Sequence, residues 1–263
     1  MIDQRLPPRV LLRMLRFHVT SPYILLWRTI EVAVMNDLAI RHGLDLQAHV
    51  DLDIGCGNGV LGHALIHNIG VGFDLDRAGV RWARRNKPAY HALLCASATA
   101  VPISAGSQQF VFSNSVIEHI PDGKAALDEV ARVVAPGGYL LLSTVSEQFP
   151  MLMLDDPHPP SATRAALDSS YAHHRYYSAA SLEVELAARG LRLLDSAYYI
   201  AARQARWCHQ LRTWEQRQPR QGLPRRLHQL RRAPIGLALL PGLRPLHAPD
   251  QGGAGLAILA RKD

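Results

Sequence analysis

The chain of 263 residues is poor in cysteine, has no long uncharged apolar run, and in one stretch near its C-terminus almost lacks acids. Each shortage excludes something. Cys56, Cys95 and Cys208 are odd in number and scattered, which argues against a disulfide framework or a zinc site and fits a reducing compartment. No uncharged apolar run approaches the ~18 residues of a membrane span. The N-terminus lacks the basic, apolar, small-residue order of a secretory leader, so a cytoplasmic location is expected. The shortage of acids is local. Residues 203–245 hold ten arginines and one acid, Glu215, a charge of +9 that leaves the rest of the chain near −2. The net charge of +7 therefore belongs to one segment and points to a local partner.

What is present is ordinary globular composition, 48% hydrophobic and 19% charged, enough for one large α/β domain or a domain with a cap. The organising stretch is His49 to Asp76. An apolar run of strand length, Val50 to Ile54, carries Asp51 and Asp53. Gly55, Gly57 and Gly59 follow, then a helical pattern, a second apolar strand and Asp74. Glycines let such a turn bend and let a ligand touch its backbone. The helix after it aims free N–H groups at the ligand. Asp74 lies 21 residues after Asp53, where a carboxylate can accept ribose hydroxyls. Gly57-Asn-Gly59-Val-Leu-Gly62 matches G-x-G-x-x-G, so a nicotinamide dinucleotide stays open at this point.

Strands are expected at Val71 to Asp74, His91 to Cys95, Phe110 to Asn114, Tyr139 to Val145, Leu191 to Ile200 and Ala254 to Ala260. Helices are expected at Asn58 to His67, Arg77 to Asn86, Ala125 to Val134 and Ser181 to Gly190. This alternation predicts a parallel sheet with helices on both faces. Phe149 to Tyr171, with four prolines, reads as a long irregular loop over the ligand crevice. Two helices precede the first strand, either packed on the sheet or closing over the site as a lid. Arg28 and Glu31 in the second lie three apart and read as a simple pair on one face. The divisions are then an N-terminal helical cap (1–48), a core (49–202), a basic amphipathic helical insertion (203–248) and a last core strand (249–263).

Later segments separate the cofactors. Ala98-Thr-Ala-Val-Pro102-Ile103, Ser113-Asn-Ser-Val-Ile-Glu118-His119-Ile-Pro121-Asp122 and Glu129-Val-Ala-Arg132-Val-Val-Ala-Pro136-Gly137-Gly138 follow Asp53-x-Gly55-x-Gly57-x-Gly59 in order, and His174-Arg175-Tyr176-Tyr177-Ser178 comes after them. Together they resemble class I S-adenosylmethionine-dependent methyltransferases of the UbiE/type 11 kind. The resemblance implies a Rossmann-like seven-stranded sheet of order 3-2-1-4-5-7-6 with the last strand antiparallel, and S-adenosyl-L-methionine as cofactor. By position, Asp53, Gly55, Cys56, Gly57 and Gly59 would line the methionine end. Asp74 and Leu75 would hold the ribose side, Ser97 and Ala98 the adenine, and Asn114 and Ser115 the sulfonium. Two positions depart from the family pattern: Ser97 stands where an acid usually contacts adenine, and Gln108-Gln109 replace Phe-Asp.

The implied reaction is methyl transfer to a small or lipid-linked metabolite, at oxygen. His119 is the first candidate base, Glu118 the second, and His173 with His174 the third. In some ubiquinone-type relatives this stretch reads Glu-x-x-Glu-His and takes a divalent metal. Here the first acid is Ser115, and one carboxylate with one imidazole make a poor hard-metal site, so no metal is expected. The basic insertion reads either as a solvated helical face or as an attachment to an anionic membrane surface. Nucleic acid ranks lower, since Asn114-Ser-Val-Ile is not the Asn/Asp-Pro-Pro-aromatic of adenine methyltransferases. A methyltransferase-fold scaffold without catalysis is the competing class.

Overall fold

A computed structural model describes residues 6–18, 20–87, 89–217 and 252–263. Its centre is a seven-stranded sheet of order β3-β2-β1-β4-β5-β7-β6, as the resemblance implied. The strands are β1 (His49–Ile54), β2 (Asn68–Asp74), β3 (Tyr90–Cys95), β4 (Gln108–Asn114), β5 (Val134–Val145), β6 (Leu191–Tyr199) and β7 (Gly255–Lys262). All neighbouring pairs are parallel except those of β7, which runs antiparallel to β5 and β6.

Side chains alternate across the sheet, as the two-residue period requires. Phe110 and Phe112 of β4, Leu141 of β5 and Ala257 and Leu259 of β7 enter one core layer. Val111, Leu140, Leu142, Leu256 and Ile258 enter the other. The second layer is closed by α5 (Gly123–Val133) and α8 (Ala179–Ala187) through Leu127, Val130, Leu182 and Leu186. The first is closed by α1 (Pro8–His18), α2 (Pro22–Arg41), α4 (Arg77–Asn86) and α9 (Ala202–Arg217). Each fully buried Leu, Ile or Phe contributes roughly 1.5–3 kcal/mol of transfer free energy.

α2 settles what the N-terminal helices are. Fifteen of its twenty residues are buried, so it is an inner wall and not a detachable lid. It packs against β5, β6, β7, α1 and α9. A helix apolar on nearly every side has to be enclosed on nearly every side. α9 begins at Ala202, and its apolar stripe, Trp207 and Leu211, packs against the same core. That use of the stripe leaves less of it for a membrane surface. The leucines at 223, 227 and 230, the apolar run 234–243 and six of the ten arginines lie outside the described residues.

Several boundaries differ from expectation. The helix after the glycine turn, α3 (Val60–Leu65), is short because β2 already begins at Asn68. Pro136-Gly137-Gly138 does not separate helix from strand: α5 stops at Val133, and β5 runs through the prolyl segment with a bulge opposite Gln108 and Phe110. Phe149 to Tyr171 is not an irregular loop but two helices, α6 (Phe149–Leu154) and α7 (Ser161–Tyr171). Two of its four prolines start helices instead of breaking them. Pro150 occupies the first turn of α6 and Pro160 caps α7, positions where a missing N–H costs nothing.

Candidate active site

The C-terminal tips of β1, β2 and β4 lie side by side, since Ile54 pairs with both Phe73 and Ser113. Strand order reverses there between the parallel neighbours β1 and β4, the usual place for a ligand crevice in an open α/β sheet. Three cavities open at this point, and Ser115 lines all of them.

The largest, about 560 Å³, runs along β2 and β3. Asp74, Leu75, Ser97, Ala98 and His119 line it, together with Gly55 and Ser115. Asp74 ties down the turn: Oδ2 accepts from the Gly57 amide (2.7 Å) and Oδ1 from the Asp76 amide (2.8 Å). Each oxygen keeps a lone pair for a ligand. Leu75 is 74% exposed, an apolar side chain laid open inside the cleft. Ser97 Oγ bonds Thr99 Oγ1 (2.8 Å) and the Thr99 amide (3.2 Å).

The second cavity, about 280 Å³, is lined by Asp53, Gly55, Cys56, Gly57, Asn114, Ser115, His18 and Arg28, among others. Gly55 has φ +70°, and a Cβ there would sit 2.3 Å from a Val116 methyl, so both the bend and the space require glycine. Gly59 is different from what was expected. It lines none of the three cavities. It starts α3 with φ +68° and faces Tyr90, Ala83 and Lys87, so its role is to bend the chain into the helix. Asp53 is buried and accepts from Tyr90 Oη (2.6 Å). Burial pushes its carboxyl up to about 7, with the Tyr90 hydrogen bond opposing and Asp74 assisting.

The third cavity, about 180 Å³, has aromatic walls: Tyr23, Trp27, Phe149 and Tyr171, with Glu118, His119 and His173 at one side. Phe149 meets Trp27, Tyr171 and His173 edge to face, the geometry that aromatic quadrupoles favour. His119 Nδ1 lies 3.0 Å from the Ala172 carbonyl. A carbonyl only accepts, so Nδ1 carries the proton and Nε2 keeps its lone pair. Desolvation lowers the His119 pKa although the residue is exposed, and it takes that of the buried His173 down to about 3, so both rings are neutral at pH 7. Glu118 is 1% exposed; burial raises its carboxyl to about 7. His174 is exposed and lines none of these cavities; its amide donates to the Glu118 carbonyl (2.8 Å).

The residues that sequence reasoning passed over sit on α2. Glu31 is fully buried. Its Oε1 accepts from Ser115 Oγ (2.7 Å), Ser143 Oγ (2.9 Å) and Tyr199 Oη (2.6 Å). Its Oε2 takes Arg28 Nη1 at 2.5 Å. The same Nη1 reaches Asn114 Oδ1 and Ser115 Oγ, both at 2.8 Å. Burial opposes both charges, but their attraction and hydrogen bonds outweigh it. Glu31 is held below the usual carboxylate range and Arg28 above the usual guanidinium range. Arg28 Nε and Nη2 have no partner among the described residues, and the side chain borders the second and third cavities. The signal in the sequence was an acid set between apolar neighbours, Ile30 and Val32, in a largely apolar helix, since a buried acid needs a reason.

Residues 52–142, which carry β1 to β5 and the tips just described, match the profile of the methyltransferase domain. Over these residues the chain is similar to a methyltransferase domain. Around it, the chain is 30% identical over 102 residues to a malonyl-[acyl-carrier protein] O-methyltransferase of Hahella chejuensis, covering 37% of each chain. It is 24% identical over 154 residues to a ubiquinone biosynthesis O-methyltransferase of Hydrogenovibrio crunogenus, covering 56% of this chain and 63% of that one. The chain thus spans between about a third and two thirds of the length of these relatives. The methyltransferase-domain fold extends further than the sequence match. A crystal structure from Galdieria sulphuraria, described as that of a candidate sarcosine dimethylglycine methyltransferase, superposes with TM-score 0.61 at 15% identity, over 88% of this chain and 85% of that one. At that identity the likeness concerns the fold alone.

Proposed function

We propose that the protein transfers a methyl group from S-adenosyl-L-methionine to an oxygen of a small acceptor. The observation that carries this reading is the meeting of three cavities at Ser115. The 560 Å³ cleft takes the adenosine, with Asp74 on the ribose hydroxyls and Leu75 and Ala98 against the base. The 280 Å³ cavity takes the amino-acid end. Among its lining residues Asp53 would take the ammonium and Arg28 the carboxylate, and His18, held neutral by burial, could add an uncharged hydrogen bond. The sulfonium then lies near Asn114 and Ser115. The aromatic cavity of about 180 Å³ receives the acceptor. That is below the ~300 Å³ at which ligand pockets usually begin, so it holds only the reacting end of a larger molecule.

Methyl transfer is an in-line displacement in which the acceptor oxygen attacks carbon and the sulfur leaves with the bonding pair. Alignment supplies much of the rate, with effective molarities of ~10⁵ M or more. His119 Nε2, neutral and free to accept, takes the acceptor proton. Names of the relatives favour oxygen as the acceptor atom, as in malonyl-carrier and ubiquinone O-methylation. No helix among the described residues is long and apolar enough to cross a membrane. Contact of the basic segment 203–245 with an anionic surface stays a proposal, tested by vesicle sedimentation of the full chain.

Calorimetry with S-adenosylmethionine, S-adenosylhomocysteine and NAD tests the cofactor assignment. Micromolar binding of the first two and none of NAD is expected. Binding without turnover of any hydroxylated acceptor would favour the scaffold reading, for which Ser97 and Gln108-Gln109 speak. Binding of NAD alone would refute the assignment.

A further inference from the structure

Three side chains able to hold a metal converge beside the aromatic cavity, and they come from segments far apart in sequence. Glu118 and His119 stand on the 3-10 turn after β4, Ile117–His119. His173 stands on the connection between α7 and α8. One donor atom from each lies within 4.8 Å of the other two. The expectation of no metal counted one carboxylate and one imidazole. Folding adds a second imidazole and so changes the class of the donor set.

Both imidazoles are already neutral, the state a metal requires. His119 gives its Nδ1 proton to the Ala172 carbonyl. A bond of that kind from the second nitrogen fixes tautomer and ring orientation in metal-bound imidazoles. His173 is 9% exposed, and its buried Nδ1 has no hydrogen-bond partner among the described residues. Buried polar atoms in native proteins nearly always have a partner, and an exception asks for an explanation such as an ion. Glu118 is buried, receives a hydrogen bond from Thr144 Oγ1 (3.1 Å), and forms no ion pair among the described residues. A buried carboxylate without a cation and a buried imidazole without a partner are both satisfied by one ion.

We propose that Glu118, His119 and His173 bind one divalent transition-metal ion at the acceptor end of the cleft. Two imidazoles and one carboxylate favour Zn²⁺, Co²⁺, Fe²⁺ or Mn²⁺ over Mg²⁺ and Ca²⁺, which prefer oxygen-only shells. Ligand bonds of about 2.0–2.2 Å place donors roughly 3–3.5 Å apart. The present cluster closes to that by side-chain rotation of a little over an ångström. All three donors line the cavity shared with Ser115 and the aromatic walls, so an ion held by them would lie where an acceptor oxygen enters. Such an ion would acidify a hydroxyl beside it, so that the acceptor would lose its proton more readily and keep the electron pair for the methyl carbon. His119 is then a ligand, and the ion takes over from imidazole the task of ionising the acceptor. The site rests on donor geometry alone and stands or falls apart from the cofactor assignment.

The test uses the untagged full chain, stripped with chelator, desalted, and equilibrated with Zn²⁺, Co²⁺ or Mg²⁺. Metal per chain is read by mass spectrometry, and the ligand field by the visible spectrum of the Co²⁺ form. One equivalent of Zn²⁺ or Co²⁺ is expected, undisturbed by a hundredfold excess of Mg²⁺. His173→Ala and Glu118→Gln should each weaken Co²⁺ binding at least tenfold, and His174→Ala, outside the cluster, should leave it unchanged. Because His173 packs on Phe149, His173→Phe keeps a ring in place and serves if the alanine variant does not fold. Less than a tenth of an equivalent in the wild type would overturn the proposal. So would Co²⁺ affinity unchanged in both His173 variants, or a spectrum showing thiolate ligation.

Discussion

Arg28 offers the sharpest measurement of whether the second cavity holds the amino-acid end of the cofactor. Removing it alone confounds two effects. Glu31 would stay buried with its charge unmatched, at a cost of roughly 3–5 kcal/mol, and any loss of binding could be loss of structure. The informative variant replaces both, Arg28→Gln with Glu31→Gln. The amide carbonyl introduced at position 31 can still accept from Ser115, Ser143 and Tyr199, and its NH₂ can face the new amide at position 28. That second amide can still donate to Asn114. What disappears is the charged edge formed by Nε and Nη2. A hydrogen bond to a charged group is worth about 1.5–3 kcal/mol, which is roughly 10–150-fold in dissociation constant. The assay is calorimetry with two ligands, S-adenosylhomocysteine and 5′-methylthioadenosine, the second lacking the amino acid. The wild type should prefer the first, and the variant should lose most of that preference while binding the second as before. An equal loss for both ligands would mean that the helix had moved, and an unchanged preference would mean that the guanidinium faces something else. Either result refutes the assignment of Arg28 to the carboxylate.

Three further outcomes follow from the same geometry. In the free protein Asp53 titrates near 7 against ~3.9 unfolded, so the folded state binds the extra proton between those values. Its contribution to stability therefore falls as pH rises from about 4 to 7, by on the order of 4 kcal/mol. Asp53→Asn should thus raise the urea midpoint at pH 8 and hardly change it at pH 4; an equal shift at both would show that the titration is not the cause. Ser97→Asp should tighten 5′-methylthioadenosine by about tenfold through one charge-assisted hydrogen bond, and no change would place the base elsewhere. Ser115→Ala should lose both the Glu31 hydrogen bond and turnover, whereas Ser115→Gly should be the more stable of the two by about 1 kcal/mol because glycine accepts a positive φ. Thermal unfolding compares them, and a less stable glycine variant would contradict the strain argument.

The sheet was legible because its signals are local. Val50 to Ile54, Phe110 to Asn114 and Tyr139 to Val145 are apolar runs that only a strand between two helical layers can bury. Motif order then gave the strand order through family resemblance, which periodicity alone does not supply. The glycine turn, Asp53, Asp74, Ser97 and Ser115 were legible because they lie at strand tips, where sequence position fixes place. The acceptor end was not. Its walls come from α2, α6 and α7, and the prolines of 149–171 read as loop because composition does not tell a proline that starts a helix from one that ends it. Arg28 and Glu31 read as a simple pair on one face because their spacing is that of any i, i+3 pair. Only the packing of α2 against β5–β7 shows that the pair is enclosed. His173 could be named from the sequence, but nothing there says that it meets Glu118 and His119.

Ser115 shows why the two ends of the cleft cannot be understood apart. Among the described residues it is one of four other than glycine with positive φ, at +50°, a conformation that costs on the order of 1–3 kcal/mol and persists only where its surroundings over-determine it. They do so here. Its amide donates to the Ser143 carbonyl (3.0 Å), and its hydroxyl to Glu31. Glu31 in turn is fixed by Tyr199 from β6 and Arg28 from its own helix. One buried carboxylate therefore joins the tip of β4, the neighbouring β5, the far strand β6 and the wall helix α2. The residue it holds in a strained turn is the one that all three cavities share. A displacement reaction needs its three participants on one line to within a fraction of an ångström. A network spanning the sheet is a physical means of keeping that line.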